Sequence, residues 1–252
     1  MKEQIHTIPI SDAMANSGEC PFCYIEKRVE DHTMDFVLGH GASYMEADIR
    51  EMTDKEGFCR AHFKKMFDYG NSLGNAWILK TMYMRYIDEF QKEMKSFKPE
   101  SKKSGFFGKK ESSGNSIVDW INKKESTCFI CDGVQKTFNA YMKTFFDMYK
   151  KDESFRKRVA QTKGFCLDHL KVIMEYADST LKGKDLEEFY SMVLSMTDDS
   201  LHRIYEDVAW FIEKYDYKNK DADWKTSKDA IQRGMQKLKG GDPSLPPDVI
   251  KK

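Results

Sequence analysis

Gly57-Phe58-Cys59-Arg60-Ala61-His62 returns later in the chain as Gly164-Phe165-Cys166-Leu167-Asp168-His169. Each copy follows a Cys-x-x-Cys pair, Cys20/Cys23 in the first case and Cys128/Cys131 in the second, with 35 residues between Cys23 and Cys59 and 34 between Cys131 and Cys166. The 6 cysteines of the chain are thereby all used. Two thiolates three positions apart converge on one ion, and a Cys-x-x-His at a helix start puts sulfur and imidazole on one face. The helix N-terminus favours the thiolate form of Cys59 and Cys166. Gly57 and Gly164 suit the left-handed backbone that a tight turn requires.

Three cysteines and one histidine make a closed tetrahedral set of the structural kind. The pattern predicts two structural Zn²⁺ ions with ligands Cys20, Cys23, Cys59, His62, Cys128, Cys131, Cys166 and His169. Closure within each half, Cys20/Cys23 with Cys59/His62 and Cys128/Cys131 with Cys166/His169, costs less chain entropy than a swapped pairing. Pairing within halves is therefore the expectation. A disulfide framework leaves the two in-register histidines unexplained. An iron–sulfur cluster usually wants four cysteines. A thioredoxin-like role for Cys20-Pro21-Phe22-Cys23 lacks the surrounding βαβ pattern.

Outward from these motifs, no segment shows sustained period-two alternation, so the fold class read from the sequence is all-α. It consists of two duplicated helical modules, each stapled by a Cys3His site. The boundaries are 1–97 for the first module, 98–116 for a Lys/Gly/Ser-rich linker, 117–216 for the second module and 217–252 for a tail. Residues 1–19, with Pro9 and Ser11-Asp12, read as a lead-in. A helix follows Cys23 and ends at Leu38-Gly39-His40-Gly41. Residues 42–58 read as polar and turn-like.

A long helix is predicted from Cys59 to Phe97, kinked near Gly70 and Gly74. Its apolar positions, among them Phe63, Phe67, Leu73, Trp77, Met82, Tyr83, Ile87 and Phe90, suit burial of one face. In the second module, helices are predicted after Cys131, from Cys166, over Leu186–Met196 and over Leu201–Tyr215, with one more near Ser227–Leu238 in the tail.

Lys+Arg and Asp+Glu are equal at 41 each, which gives no global field for nucleic acid or an anionic membrane. Lysines crowd residues 92–110 around Phe106-Phe107. A solvated linker is the plainer reading there, and nucleic-acid contact the weaker one. The apolar runs fall far short of a membrane span, and no secretory signal opens the chain, so a soluble cytoplasmic protein is expected. His32, on the first helix, and His40, at its end, could each be a spare ligand or a base, with an ordinary surface or core histidine the plainer reading; His6 and His202 lack any partner pattern. Glu46–Glu51 could support a metal site from outside the ligand shell. No nucleophile–base motif, phosphate loop or cofactor fingerprint is present, which points away from an enzyme and towards a scaffold for another protein.

Cys-Pro-Phe-Cys, Gly-Phe-Cys-Arg-Ala-His and the intervening Leu38-Gly39 and Tyr44–Arg50 resemble a bacterial family of cytoplasmic proteins with tandem Cys-x-x-Cys … Gly-Phe-Cys-x-x-His modules. The resemblance covers roughly residues 5–215, with Ala47 where a proline is expected. It implies metal binding at the eight matching positions and an α-helical architecture, and it supplies no activity.

Overall fold

The computed structural model describes residues 7–16, 18–98 and 115–241. Among them are eleven α-helices and no strand, as the missing period-two alternation requires. In chain order they are α1 Thr7–Asn16, α2 Pro21–Leu38, α3 Ala47–Glu56, α4 Arg60–Tyr69, α5 Ser72–Ser96, α6 Ser116–Ser126, α7 Phe129–Lys151, α8 Glu153–Ala160, α9 Leu167–Thr180, α10 Lys184–Glu213 and α11 Ala230–Lys239. Most of the predicted linker, and with it Phe106-Phe107, lies outside the described residues, as do His6 and the proline-rich end of the tail.

The helices gather into two compact units, and neither is a sequential half. Among the described residues, one comprises those up to Val29 together with those of 135–241, and the other those of 30–134. The boundaries fall inside α2 and α7. The expected modules 1–97 and 117–216 are therefore not the units that form. Each unit instead takes a Cys-x-x-Cys from one half of the sequence and a Cys-x-x-His from the other.

The first unit has an aromatic core. Phe22, fully buried, lies 5.5 Å from Phe138, 5.3 Å from Phe145 and 5.7 Å from Phe165 between ring centroids. Phe145 in turn meets Phe155, and Phe146 meets Phe189. Each such ring contributes about 1.5–3 kcal/mol by leaving water. Because Phe22 and Phe165 sit next to Cys23 and Cys166, this core also fixes where those two cysteines stand.

The second unit is thinner. On α5 only Gly74, Ile78 and Met82 are buried, with α3 and α6 beside the helix. Phe67, Leu73, Tyr83 and Ile87, expected to face a core, are 79%, 62%, 65% and 52% exposed. Of the predicted stripe Met82 alone is buried, and the fully buried Ile78 lies outside it, so the period misplaced the covered face.

Two segments read as irregular are helices. In α1 the buried side chains are Ile10, Ala13 and Met14, a single face; Pro9 falls in the first turn, where its missing N–H breaks no bond. In α3 only Thr53 and Asp54 are buried, so apolar spacing cannot show it. That helix is held by polar contacts instead. Thr81 Oγ1 donates to Asp54 at 2.8 Å, and the Arg50 guanidinium to the Tyr44 carbonyl at 2.8 Å. The predicted Cys59–Phe97 helix is in fact two, because Gly70 takes φ 84° and ends α4. Leu186–Met196 and the stretch predicted from Leu201 belong to one helix, α10, which ends at Glu213, short of Tyr215.

Candidate metal centres

Eight side chains come together as two sets: Cys20, Cys23, Cys166 and His169 in the first unit, and Cys59, His62, Cys128 and Cys131 in the second. In each set two helix N-termini converge. Cys166 is the N-cap of α9 and Cys59 that of α4, while Cys23 and Cys131 lie in the first turns of α2 and α7. The positive ends of four helices thus favour thiolates at these positions. Gly57 and Gly164 take φ 68° and 79°, the backbone turn their sequence position implied.

The donor atoms of each set lie within 4.8 Å of one another. In the first, His169 Nδ1 is 3.4, 3.5 and 3.1 Å from the sulfurs of Cys20, Cys23 and Cys166, and Cys23 Sγ is 3.7 Å from Cys166 Sγ. In the second, His62 Nδ1 is 3.2, 3.3 and 3.4 Å from Cys59, Cys128 and Cys131, and Cys59 Sγ is 3.9 Å from Cys131 Sγ. A tetrahedron with sulfur bonds of about 2.3 Å and nitrogen bonds of about 2.0–2.1 Å has edges of roughly 3.8 Å and roughly 3.5 Å. Both sets fit, and each could hold a metal ion.

The pairing corrects the expectation of closure within halves. The swapped sets span separations of 143 and 72 residues, against 36 (Cys23 to Cys59) and 35 (Cys131 to Cys166) for the unswapped ones. That is about two doublings of loop length plus one, hence about 2 kcal/mol of extra closure entropy. Burial of the Phe22, Phe138 and Phe165 cluster readily exceeds this.

Outside the ligands, each histidine turns its other nitrogen to a carboxylate. His62 Nε2 is 2.9 Å from Glu30 Oε1, and Lys65 Nζ holds both oxygens of that buried glutamate at 2.6 and 2.7 Å. His169 Nε2 lies 3.1 Å from Glu26 Oε2, close but off a straight hydrogen bond. Such carboxylate–histidine pairs fix the ring and leave Nδ1 as the ligating atom. Glu46–Glu51, considered for this role, supplies neither carboxylate.

The donors shift one another's titration. Burial opposes charge on His62, yet the Cys128 sulfur and Glu30 hold its pKa up at about 10. Cys131 and the histidine pull Cys128 down to about 3 against burial. Burial likewise opposes a charged Cys20, but its neighbours Cys166, Cys23 and His169 carry it well below the usual thiol range. The price is that Cys23, crowded by Cys166 and Cys20, is pushed far up. Three buried thiols in one site cannot all ionise together without a positive ion among them.

The two turns that carry each set are fastened differently. In the second unit they bond directly: Thr127 Oγ1 donates to the Glu56 carbonyl at 2.6 Å, and the Phe129 N–H to the Gly57 carbonyl at 2.9 Å. In the first unit a lysine from α11 bridges them. Lys237, 1% exposed, donates to the carbonyls of Glu19 and Lys163, both at 2.8 Å. These two residues immediately precede Cys20 and Gly164. The buried Glu19 carboxylate receives Arg203 at 2.6 Å. Gly240 closes this side at φ 74°, and a β-carbon there would come within 3.3 Å of both Cys166 Sγ and Cys23 Sγ. The supporting residues Glu26, Glu30, Glu19, Thr127 and Lys237 carry no motif, and sequence reading did not find them.

The chain belongs to the Family of unknown function (DUF6062), which matches residues 1–244. The match takes in α11, so the resemblance drawn over residues 5–215 is too short at its C-terminal end. Neither a curated protein nor a solved structure matches the chain.

Proposed function

We propose that this member of a family without an assigned activity is a helical interaction scaffold fastened by two structural zinc ions. The observation that carries the reading is the pair of four-donor protein sets with tetrahedral edge lengths. Three sulfurs and one imidazole in that geometry suit Zn²⁺ better than the harder divalent ions. Four protein ligands close the coordination sphere, so the ions would hold helices together rather than meet a substrate. Thiolates at six positions also need a reducing compartment, which makes the cytoplasm our proposed location. No helix among the described residues is long and apolar enough to cross a membrane.

A protein is the partner we favour, because balanced charge gives no attraction to a polyanion. The exposed face of α10 offers Leu194, Leu201, Tyr205 and Ile212, of which Tyr205 and Ile212 are 73% and 66% exposed. Apolar surface of that kind marks interaction sites.

Metal analysis tests the first half of the reading, with two zinc equivalents per chain expected and metal-free folded protein overturning it. Single Cys→Ser replacements then sort the ligands. C20S and C166S should each empty the same centre, and C59S and C128S the other. Chelation of the wild type should lower thermal stability, since structural zinc contributes about 10–16 kcal/mol in apparent binding. For the second half, Tyr205→Asp with Ile212→Asp should abolish co-purification of a bound protein; retention of that protein would overturn the assignment of the face.

A further inference from the structure

The two centres differ in how far their sulfurs are shielded. All four donors of the first are buried, whereas in the second Cys59 alone is partly exposed. Cys166 accepts the N–H of His169 at 3.4 Å, but its counterpart Cys59 caps no N–H of α4. An N–H donor withdraws electron density from a thiolate, so Cys59 keeps the more nucleophilic sulfur. Cys59 also lines a groove of about 990 Å³ whose walls include Phe58, Phe63, Leu79, Met82, Tyr83 and Tyr86. Arg60 and Lys124 line it as well. At the first centre the corresponding side is covered by Gly240.

From exposure, the missing donor and the apolar approach together, we infer that Cys59 is the reactive thiolate of this protein, a modification site for small apolar carbon electrophiles such as α,β-unsaturated carbonyls. A sulfur lone pair forms a bond to the β-carbon. The π pair moves to the α-carbon, which takes a proton from water. Nothing is oxidised or reduced, and no group leaves the electrophile. Cys59 becomes a thioether, a far poorer ligand than a thiolate, so the second centre lets its ion go while the first retains its own. The inference rests on the zinc reading above, for the released ion is its readout.

N-ethylmaleimide is the probe. Metal is first counted on the sample to be treated, and fewer than two equivalents overturns the zinc reading. On the two-zinc protein, peptide mapping should find Cys59 labelled at least about 10-fold faster than the other five cysteines. One zinc equivalent should appear in step with that label. Labelling led by another cysteine, uniform labelling, or release of both ions together would overturn the inference. Leu79→Trp, a change at a residue 38% exposed on the groove wall, should slow Cys59 labelling without changing metal content or melting temperature. An unchanged rate in that variant would show that the groove is not the route and overturn this proposal.

Discussion

Lys237 Nζ donates to the Glu19 carbonyl at 2.8 Å, so a helix late in the sequence is bonded to the residue that precedes the first metal ligand. A second bond from the same ammonium, to the Lys163 carbonyl, joins it to the turn carrying the other ligand pair. Burial lowers the Lys237 pKa, with the Glu19 carboxylate acting in the opposite sense. In the second unit the Thr127 hydroxyl and the Phe129 N–H perform the equivalent joining.

Lys237→Met keeps the stem and removes the charge, leaving the buried Glu19 carbonyl short of a donor, while the Lys163 carbonyl keeps the Ser200 hydroxyl at 2.7 Å. An unmet buried group costs about 1–3 kcal/mol, so a loss of about 1–3 kcal/mol in urea unfolding is expected. Chelator competition should show faster metal loss from the first centre only. Equal loss from both centres would count against the bridge.

Glu30→Gln takes the charged acceptor from His62 Nε2. Metal affinity of the second centre should fall about 10–100-fold, read by titration against a chromophoric chelator. Glu26→Gln should do the same to the first centre and leave the second unchanged. If each substitution weakened both centres alike, the assignment of carboxylates to histidines would be wrong.

Glu89 supplies a pH dependence away from the metals. Burial raises its pKa, but Lys124 at 2.6 Å, Trp120 Nε1 at 3.0 Å and Arg85 at 2.7 Å bring it down to about 2 from 4.5. The folded value lies below the unfolded one, so the stabilisation is present above pH 4.5 and disappears as pH falls from 4.5 towards 2. The site is partly solvated, so about 1 kcal/mol is expected at neutral pH. Glu89→Gln should therefore be less stable than wild type by that amount at pH 7 in urea unfolding. The gap should narrow as pH drops below 4.5. A gap that widened in acid would contradict the assignment.

The eight donors were legible because metal chemistry restricts both residue type and spacing, and Cys-x-x-His at a helix start leaves little room for another reading. Helices with an apolar stripe, such as α7 and α10, were legible from their period. The partnership of the ligand pairs was not, since the loop-length term that favoured neighbours is small beside the burial of Phe22 and its fellow rings, and burial follows three-dimensional packing. Glu26 and Glu30 were hidden among the charges of an amphipathic helix, where nothing distinguishes a carboxylate facing a histidine from one facing water. Lys237 was hidden for the same reason: sequence reading treats a lysine as solvated, and only the two carbonyls it bridges show otherwise.

The crossed pairing dictates an order in time. As the chain grows from its amino end, Cys20 and Cys23 emerge first yet must wait for the arrival of His169, while the set begun later, at Cys59, is complete once Cys131 has been added. Lys237 comes after both. On the zinc reading proposed above, capture on a nascent chain would run from the inner set to the outer, and during synthesis the earliest sulfurs are the ones left longest without their companions.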